Sequence, residues 1–360
     1  MLRILFITAF PPNTKTAGQN YSRQLLEDLS LDYDIEVCYW GYPEHDVELS
    51  DKIKCAEMPK PRFPKNRMLL KYFPIFSKRY SKRALCILRK KAENADILYF
   101  DFSQVFIYSK FINHPFKIGM SHDVIAQKYS RLPKYKLFMP WIRWSEKKLL
   151  QPFKNIFTFS TKDCNAIRDF YNLPCSTVPF YLEENLKKIS LRDCNPENYF
   201  IMYGAWNRKE NVESLEWVIK NYSSNFPKLR VIGGGLSDYY ISLISKIPNI
   251  EYIGFVENPY PLIAKSKGLI APLFHGAGVK VKAIEALALG TPVLGTEVTF
   301  EGLPDMHQDV LIRLTNQTAL RETISKLMKL TSEIKLEIQN EFKEKYIQRT
   351  FKEQLYSLIN

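Results

Sequence analysis

The sequence predicts an α/β protein made of two doubly wound units of similar size. Three observations carry that prediction. Its 360 residues, at roughly 150 residues per domain, leave room for about two cores. Short apolar runs alternate with amphipathic stretches of helical period, the pattern of parallel sheets covered by helices. The alternation thins once, over LPCSTVPFYLEENLKKISLRDCNPEN from Leu173 to Asn198, as a connection between domains does.

The elements follow in order. ILFITAF, residues 4–10, is a nearly continuous apolar run and reads as a strand buried on both faces. The loop PPNTKTAG leads into QNYSRQLLEDLS, where Tyr21, Leu25, Leu26 and Leu29 recur at helical spacing, and IEVCYW is the next strand. ADILYFD and PFKIGMSHDV follow as strands, WIRWSEKKLLQPF as a helix, NIFTFST as a strand, and a helix runs from about Lys162 to Phe170. In the second half YFIMYGAW, KLRVIGGG, IEYIGFV, GLIAPLF and PVLGT are strands. NVESLEWVIKNY is a helix with Val212, Leu215, Val218, Ile219 and Tyr222 on one stripe. Another runs from about Val279 to Leu289, ended by Gly290 with Pro292 beyond. From Ser332 onward the chain reads as one charged helix or two. The expected organisation is an N-terminal domain over 1–180, a linker over 181–198, a C-terminal domain over 199–340, and a terminal helix over 341–360 packed back on the N-terminal domain. Ligands bind at the carboxyl ends of the strands in such sheets, so two facing units are expected to form a cleft between them.

Composition and charge exclude several classes. Hydrophobic residues are 46% and charged residues 25% of the chain, which is ordinary for a globular protein and unlike a disordered one. No apolar run approaches the roughly 20 residues that cross a bilayer. The opening MLRILFITAFPP shows neither a basic leader nor a small-residue cleavage site. The six cysteines (Cys38, Cys55, Cys86, Cys164, Cys175, Cys194) form no C-x-x-C and have no His at ligand spacing. A zinc site and a disulfide framework are therefore not expected, and a reducing cytoplasm is.

The net charge of +13 points to an anionic partner. The excess concentrates between Lys60 and Lys91, where twelve Lys or Arg occur without an acid. Arg62, Lys65, Arg67, Lys71, Lys78, Arg79, Lys82 and Arg83, with Phe73 and Phe76 as apolar anchors, are the candidate docking residues for a membrane or an acceptor. An anionic membrane surface selects this mixture at about 1 kcal/mol per basic residue. Nucleic acid, or a solvated face over a helical core, selects it too, and the composition leaves the three open. No recognised nucleic-acid motif supports the second.

The stretch HGAGVKVKAIEALALGTPVLGTEVTFEGL, residues 275–303, is the most informative. Gly276 and Gly278 let the backbone approach a ligand just before a helix whose first-turn N–H groups attract an anion. Lys280 and Lys282 put two cations in that first turn, where the macrodipole disfavours them unless an anion neutralises both. Glu285 lies three residues past Lys282, on the same face and roughly 4.5 Å further along the axis. It can accept hydrogen bonds from a ribose diol while the lysines hold a pyrophosphate. A glycine loop before a lysine-bearing helix is also a common structural arrangement, so spacing alone leaves both readings open. Gly233-Gly234-Gly235 is followed by Leu-Ser-Asp and fails G-x-G-x-x-G at its last position, which argues against a dinucleotide oxidoreductase. His45, His114 and His307 have no evident partners and read as surface residues.

The pattern G-x-K-x-K-x-x-E-A-x-x-x-G-x-P-V-x-G-T followed by E-G-L resembles the donor-site signature of GT-B glycosyltransferases, specifically the family 4-like group of bacterial cell-surface polysaccharide synthesis. The first strand with Pro11, Pro12 and Gly18, the segment WSEKKLLQPFKNIFTFSTKD, GAWNRKENVESLEWV, RVIGGG and NIEYIGFV are similar to further blocks of that family, in its order and over nearly the whole chain. The resemblance implies two facing Rossmann-like domains. It implies transfer of a sugar from a UDP- or GDP-linked donor to a lipid-linked or oligosaccharide acceptor, in capsule, O-antigen or related synthesis, with retention. No metal or resident cofactor is expected, because lysines and a helix terminus can offset the pyrophosphate charge. By resemblance Gly18 contacts donor phosphate or sugar, Gly254, Phe255 and Val256 line the nucleobase, and Gly234 and Gly235 lie beside it. Lys280 and Lys282 take the phosphates, Glu285 the ribose, and His122 of SHDV the transferred sugar. Asp123 beside it is a candidate base toward the acceptor hydroxyl, and His275 a candidate ligand contact. Two positions depart from the family: Ala277 stands where a glutamate is usual, and Ala205 where an Arg is, with Arg208 and Lys209 offset. The implied setting is the cytoplasm, peripherally at the inner face of the cytoplasmic membrane, with no nucleic acid as partner. The rival readings are a nucleotide-sugar epimerase of the same fold, or a basic nucleic-acid-binding protein.

Overall fold

The structure, a computed structural model, describes residues 1–59, 71–276, 278–346 and 350–359. Arg62, Lys65, Arg67 and Ala277 lie outside the described residues. The chain divides into two compact units, Met1–Tyr181 with Arg349–Asn360, and Leu182–Gln348.

The first unit is built on a seven-stranded parallel sheet. Its strands are β1 (Arg3–Thr8), β2 (Asp34–Tyr39), β3 (Lys54–Glu57), β4 (Ile97–Asp101), β5 (Lys117–Met120), β6 (Asn155–Thr158) and β7 (Ser176–Thr177), in the order β3-β2-β1-β4-β5-β6-β7. The central strands are buried throughout most of their length, as continuous apolar runs require: β1 from Ile4 to Thr8 and β4 from Ile97 to Asp101. Phe6 of β1 stacks on Tyr99 of β4 with ring centroids 4.5 Å apart. Thr16 caps the helix Ala17–Leu29, its side chain accepting from the Gln19 N–H. The helix Phe351–Ile359 belongs to this unit, with Phe351 edge-on to both Tyr99 and Phe157.

The second unit has a six-stranded parallel sheet in the order β10-β9-β8-β11-β12-β13. The strands are β8 (Tyr199–Tyr203), β9 (Lys228–Ile232), β10 (Ile250–Gly254), β11 (Leu269–Ala271), β12 (Val293–Gly295) and β13 (Leu311–Arg313). Residues 182–198, expected as a linker, fold into this unit with a short helix Glu184–Lys187 and a 3-10 turn Leu191–Asp193. Leu186 and Leu191 are buried there, and burial of such isolated leucines leaves no periodic signature. The helix Ser332–Tyr346 packs against the helix Val281–Ala288.

In each sheet the strand order reverses direction once, between β1 and β4 and between β8 and β11. Connections leave toward opposite faces at such a point and open a crevice at the carboxyl ends of the strands. His114, read as a surface residue, instead bonds backbone through both ring nitrogens, to Phe116 O and Ala95 O at 2.9 Å each.

Candidate functional site

At the β8/β11 reversal the glycine loops are sewn together by their backbones. Gly204 donates to Ile232 O at 3.2 Å, Gly233 to Gly254 O at 2.7 Å, and Trp206 to Gly234 O at 2.9 Å. Gly233, at φ +124°, is required here: a Cβ would fall 1.9 Å from Gly204 O. Gly234 and Gly235 edge the same loop, and Phe255 beside Gly234 is 77% exposed, an unusual place for a phenyl ring with no covering side chain. Gly254 has φ +84° and open space where its side chain would be. Val256 follows, half-buried.

The helix after the second glycine loop begins at Val281, with Lys280 as its N-cap. The expectation that both lysines lie in the first turn is thus corrected: Lys280 flanks the helix and only Lys282 is inside it. Gly276 and Gly278 have φ of +133° and +69°, which no other residue type adopts easily, and they fold the loop back so that Lys280 Nζ donates to Gly278 O at 2.7 Å. Glu301 lies 4.0 Å from that ammonium. Lys282 Nζ reaches across to Asn211 Oδ1 at 2.8 Å, and Gly204 leaves the room: its Cβ would come within 3.0 Å of Nζ. Burial holds the Lys282 ammonium down to about 8, with the Arg208 and Lys280 charges pressing the same way against Glu210 and Glu285. Three cations thus converge on the helix start.

Glu285 is on the same helix, one turn on. Tyr203 OH donates to its Oε2 and Tyr260 OH to its Oε1 at 2.9 Å. Burial pushes its carboxyl up to about 7, against the lowering by the two phenols and Lys282 and reinforced by Glu183. The carboxylate is thereby oriented and still has lone pairs for a diol. His275 stands apart, half-exposed, its Nε2 3.8 Å from Glu213 Oε2. Asn211, Tyr203 and Tyr260 were not foreseen, because each acts through a residue distant in the chain.

The β1/β4 reversal in the first unit carries a second cluster. Asp101 ends β4 with a fully buried side chain; Thr8 Oγ1 and Ser22 Oγ donate to its Oδ2 at 3.0 and 2.6 Å, and His122 Nε2 lies 2.7 Å from its Oδ1. A carboxylate only accepts, so Nε2 carries a proton, and in the neutral tautomer that this selects Nδ1 is an acceptor. Phe102, at φ +68°, stacks on the imidazole at 3.7 Å. Gly18 opens the adjacent helix, and a Cβ there would meet both Phe102 and His122 Nδ1, at 3.1 and 3.2 Å. Asp123 does not share this network; it pairs with Lys128 Nζ at 3.0 Å.

The docking expectation needs correction. Phe73 and Phe76 are 8% and 1% exposed and belong to the core, so they cannot anchor a surface. Phe73 is the N-cap of the short helix Pro74–Ser77 and Phe76 lies within it, both turned inward, with the basic residues Lys71 and Lys78 flanking it outside. Lys71, Lys78, Lys82 and Arg83 are exposed, while Arg79 lies over the Phe10 ring at 4.4 Å.

Residues 197–330 match the family model for glycosyl transferases group 1. The match covers 134 of the 360 residues, all of them in the second unit. Among solved structures, sucrose-phosphate synthase from Thermosynechococcus elongatus superposes with a TM-score of 0.68 at 14% identity, covering 100% of this chain and 99% of that one. HepE from Anabaena, in complex with UDP, gives 0.68 at 13% identity over 96% of each chain. WaaG, a glycosyltransferase involved in lipopolysaccharide biosynthesis, gives 0.63 at 13% identity over 94% of this chain and 95% of that one. Likeness at these identities is likeness of fold, and the fold of this chain is GT-B. No curated protein sequence matches it significantly.

Proposed function

We propose that this chain is a glycosyltransferase that moves a sugar from a UDP- or GDP-linked donor to a lipid-linked or other glycan acceptor during cell-surface polysaccharide assembly, of the lipopolysaccharide or capsule kind. The observation that carries the donor reading is the convergence of Lys280, Lys282 and Arg208 on a helix start, one turn before a carboxylate oriented by two phenols. The cations and first-turn N–H groups bind the diphosphate, Glu285 takes the ribose hydroxyls, and Phe255 with Gly254 and Val256 takes the base. That UDP sits in the HepE structure of the same fold supports a uridine donor.

Transfer breaks the bond between the anomeric carbon and the diphosphate oxygen and forms one to the acceptor hydroxyl oxygen, whose proton passes to the departing diphosphate, with retention. Charge develops on the departing diphosphate, where the three cations stabilise it, so a required metal is not part of the proposal. His122 Nδ1 accepts a hydrogen bond from a hydroxyl of the transferred sugar, in the tautomer that Asp101 fixes. Asp123, tied to Lys128, is the weaker candidate for a base. The proposed setting is the cytoplasm, at the inner face of the membrane; no helix of the described residues is long and apolar enough to cross one.

Calorimetric titration of UDP and GDP tests the donor reading. Lys280→Ala with Lys282→Ala is expected to weaken the nucleotide that binds at least tenfold, and Glu285→Gln to weaken the free nucleoside as well. Unchanged affinity in the double variant removes the assignment.

A further inference from the structure

The burial of Phe73 and Phe76 raises the question of what the first unit does expose. Three large apolar side chains stand out within eight residues: Leu137 is 91% exposed, Phe138 47% and Trp144 41%. They lie on the 3-10 turn Pro133–Phe138 and the start of the helix Met139–Leu150 that continues it. Scattered single apolar residues on a surface need no explanation; three within eight residues of chain do.

This segment is held rigidly from behind. Trp144 stacks on the buried Tyr72 with centroids 5.5 Å apart, Trp141 Nε1 donates to Lys71 O at 2.6 Å, and Phe73 N–H donates to Ser145 Oγ at 2.9 Å. Tyr135 packs edge-on against both Phe73 and Tyr129. Proline at 133 and 140 fixes φ on either side of the protruding Leu137 and Phe138. The apolar tips are thus presented on a stiff support and have no route into the core.

The surrounding charge is of one sign. Between Lys128 and Leu150 there are seven Lys or Arg and one acid, Glu146. That acid does not reach the surface: it is buried, accepting from the Ile125 and Ala126 N–H groups at 2.7 and 2.8 Å and from Tyr171 OH at 2.5 Å. Lys134, Lys136 and Arg143 are exposed within the same stretch of chain, Lys134 over the Tyr135 ring at 5.2 Å and Arg143 over the Phe170 ring at 4.6 Å, with Lys71 beside Trp141.

We propose that Leu137, Phe138 and Trp144, with the exposed cations Lys71, Lys134, Lys136 and Arg143 of the same segment and its support, are the surface by which the enzyme docks on an anionic membrane. The apolar tips enter the acyl boundary, the indole sits at headgroup depth, and the cations meet lipid phosphates. A second copy of this chain is a poor occupant, since its own segment would oppose cation to cation. Nucleic acid would satisfy the cations but give a leucine with most of its surface in water nothing to contact. The proposal rests on the membrane part of the functional reading alone and is independent of the donor assignment.

The test is sedimentation of the full chain with vesicles of phosphatidylcholine and of its equimolar mixture with phosphatidylglycerol, alongside UDP titration of the same samples. Leu137→Ser with Phe138→Ser, and separately Lys134→Gln with Lys136→Gln, alter exposed side chains, so the fold is kept; thermal unfolding verifies this. The parent is expected to favour the anionic vesicles, and each double variant to lose at least tenfold in partitioning while binding nucleotide as the parent does. A parent that ignores vesicles, or variants that bind them as the parent does, overturns the proposal. So does a parent dimer or oligonucleotide complex that the variants dissolve without any vesicle binding. Loss of vesicle binding in variants of a parent that never bound UDP leaves this surface standing and removes the donor reading instead.

Discussion

Nucleotide affinity is expected to fall as pH rises through about 8, because the cation proposed to face the diphosphate is a lysine that burial has weakened. Lys282 Nζ is held by the neutral carbonyl oxygen of Asn211, not by a carboxylate, and burial with two neighbouring cations lowers it to about 8. An ammonium with that value is about nine-tenths protonated at pH 7 and about one-tenth protonated at pH 9. If only the protonated form binds the diphosphate, affinity drops about tenfold over that interval, about 1.4 kcal/mol. Binding in turn draws a proton in, because the diphosphate stabilises the charged amine. On the acid side Glu285, raised to about 7, loses its charge as pH falls and accepts ribose hydroxyls less well, so the affinity profile is a bell between the two values. The assay is calorimetry at pH 8 in two buffers of different ionisation enthalpy, with an intact nucleotide sugar, whose phosphates do not titrate in this range. Uptake of about half a proton per ligand is expected. Lys282→Arg keeps the charge and flattens the alkaline limb. Asn211→Asp, which sets a carboxylate against the ammonium, moves that limb to higher pH. No proton uptake at pH 8, together with an alkaline limb indifferent to both substitutions, refutes the reasoning.

Four further outcomes are expected. Gly233→Ala places a Cβ 1.9 Å from Gly204 O at a φ of +124° and should destabilise the second unit by at least about 2 kcal/mol in thermal or denaturant unfolding. Gly234→Ala, whose Cβ meets nothing nearer than 3.9 Å, should change stability by less than about 0.5 kcal/mol. Asp101→Asn releases the His122 tautomer and should lower kcat by about tenfold to a hundredfold, one charged hydrogen bond's worth, with the nucleotide Kd unmoved; a change in Kd alone contradicts the positioning role. Lys335, fully buried on Ser266 O and Thr291 Oγ1, is lowered to about 7 by burial. The unfolded chain therefore holds a proton that the folded one releases between about pH 7 and the ordinary lysine value near 10.5, and stability rises with pH across that window by up to about 1.4 kcal/mol per unit. Lys335→Met should remove that slope in pH-dependent unfolding.

The two sheets were legible because buried parallel strands are written as apolar runs, and ILFITAF, ADILYFD and YFIMYGAW have no other comfortable place in a soluble core. Strands β3, β7 and β13 escaped notice for the complementary reason: Lys54–Glu57 and Ser176–Thr177 sit at the sheet margins with exposed side chains, and Leu311–Arg313 is only three residues long. The same physics sorts the site. Gly276, Gly278, Lys282 and Glu285 lie within ten residues of one another and carry their chemistry in local spacing, which a sequence displays. What tunes them comes from elsewhere: Asn211 is 71 positions from Lys282, Tyr203 82 from Glu285, and Thr8 93 from Asp101. Such partners are chosen by the fold, because the carboxyl ends of adjacent parallel strands bring together loops that the chain keeps far apart. The basic segment shows the limit most clearly. Its composition announced an anionic partner, yet periodicity in a helix of four residues, Pro74–Ser77, could not say which of Phe73, Phe76, Lys71 and Lys78 faces water. Burial against Ser145 and Tyr129 decides it, turning the aromatics inward and leaving the apolar contact with any membrane to a helix start some sixty residues later in the chain.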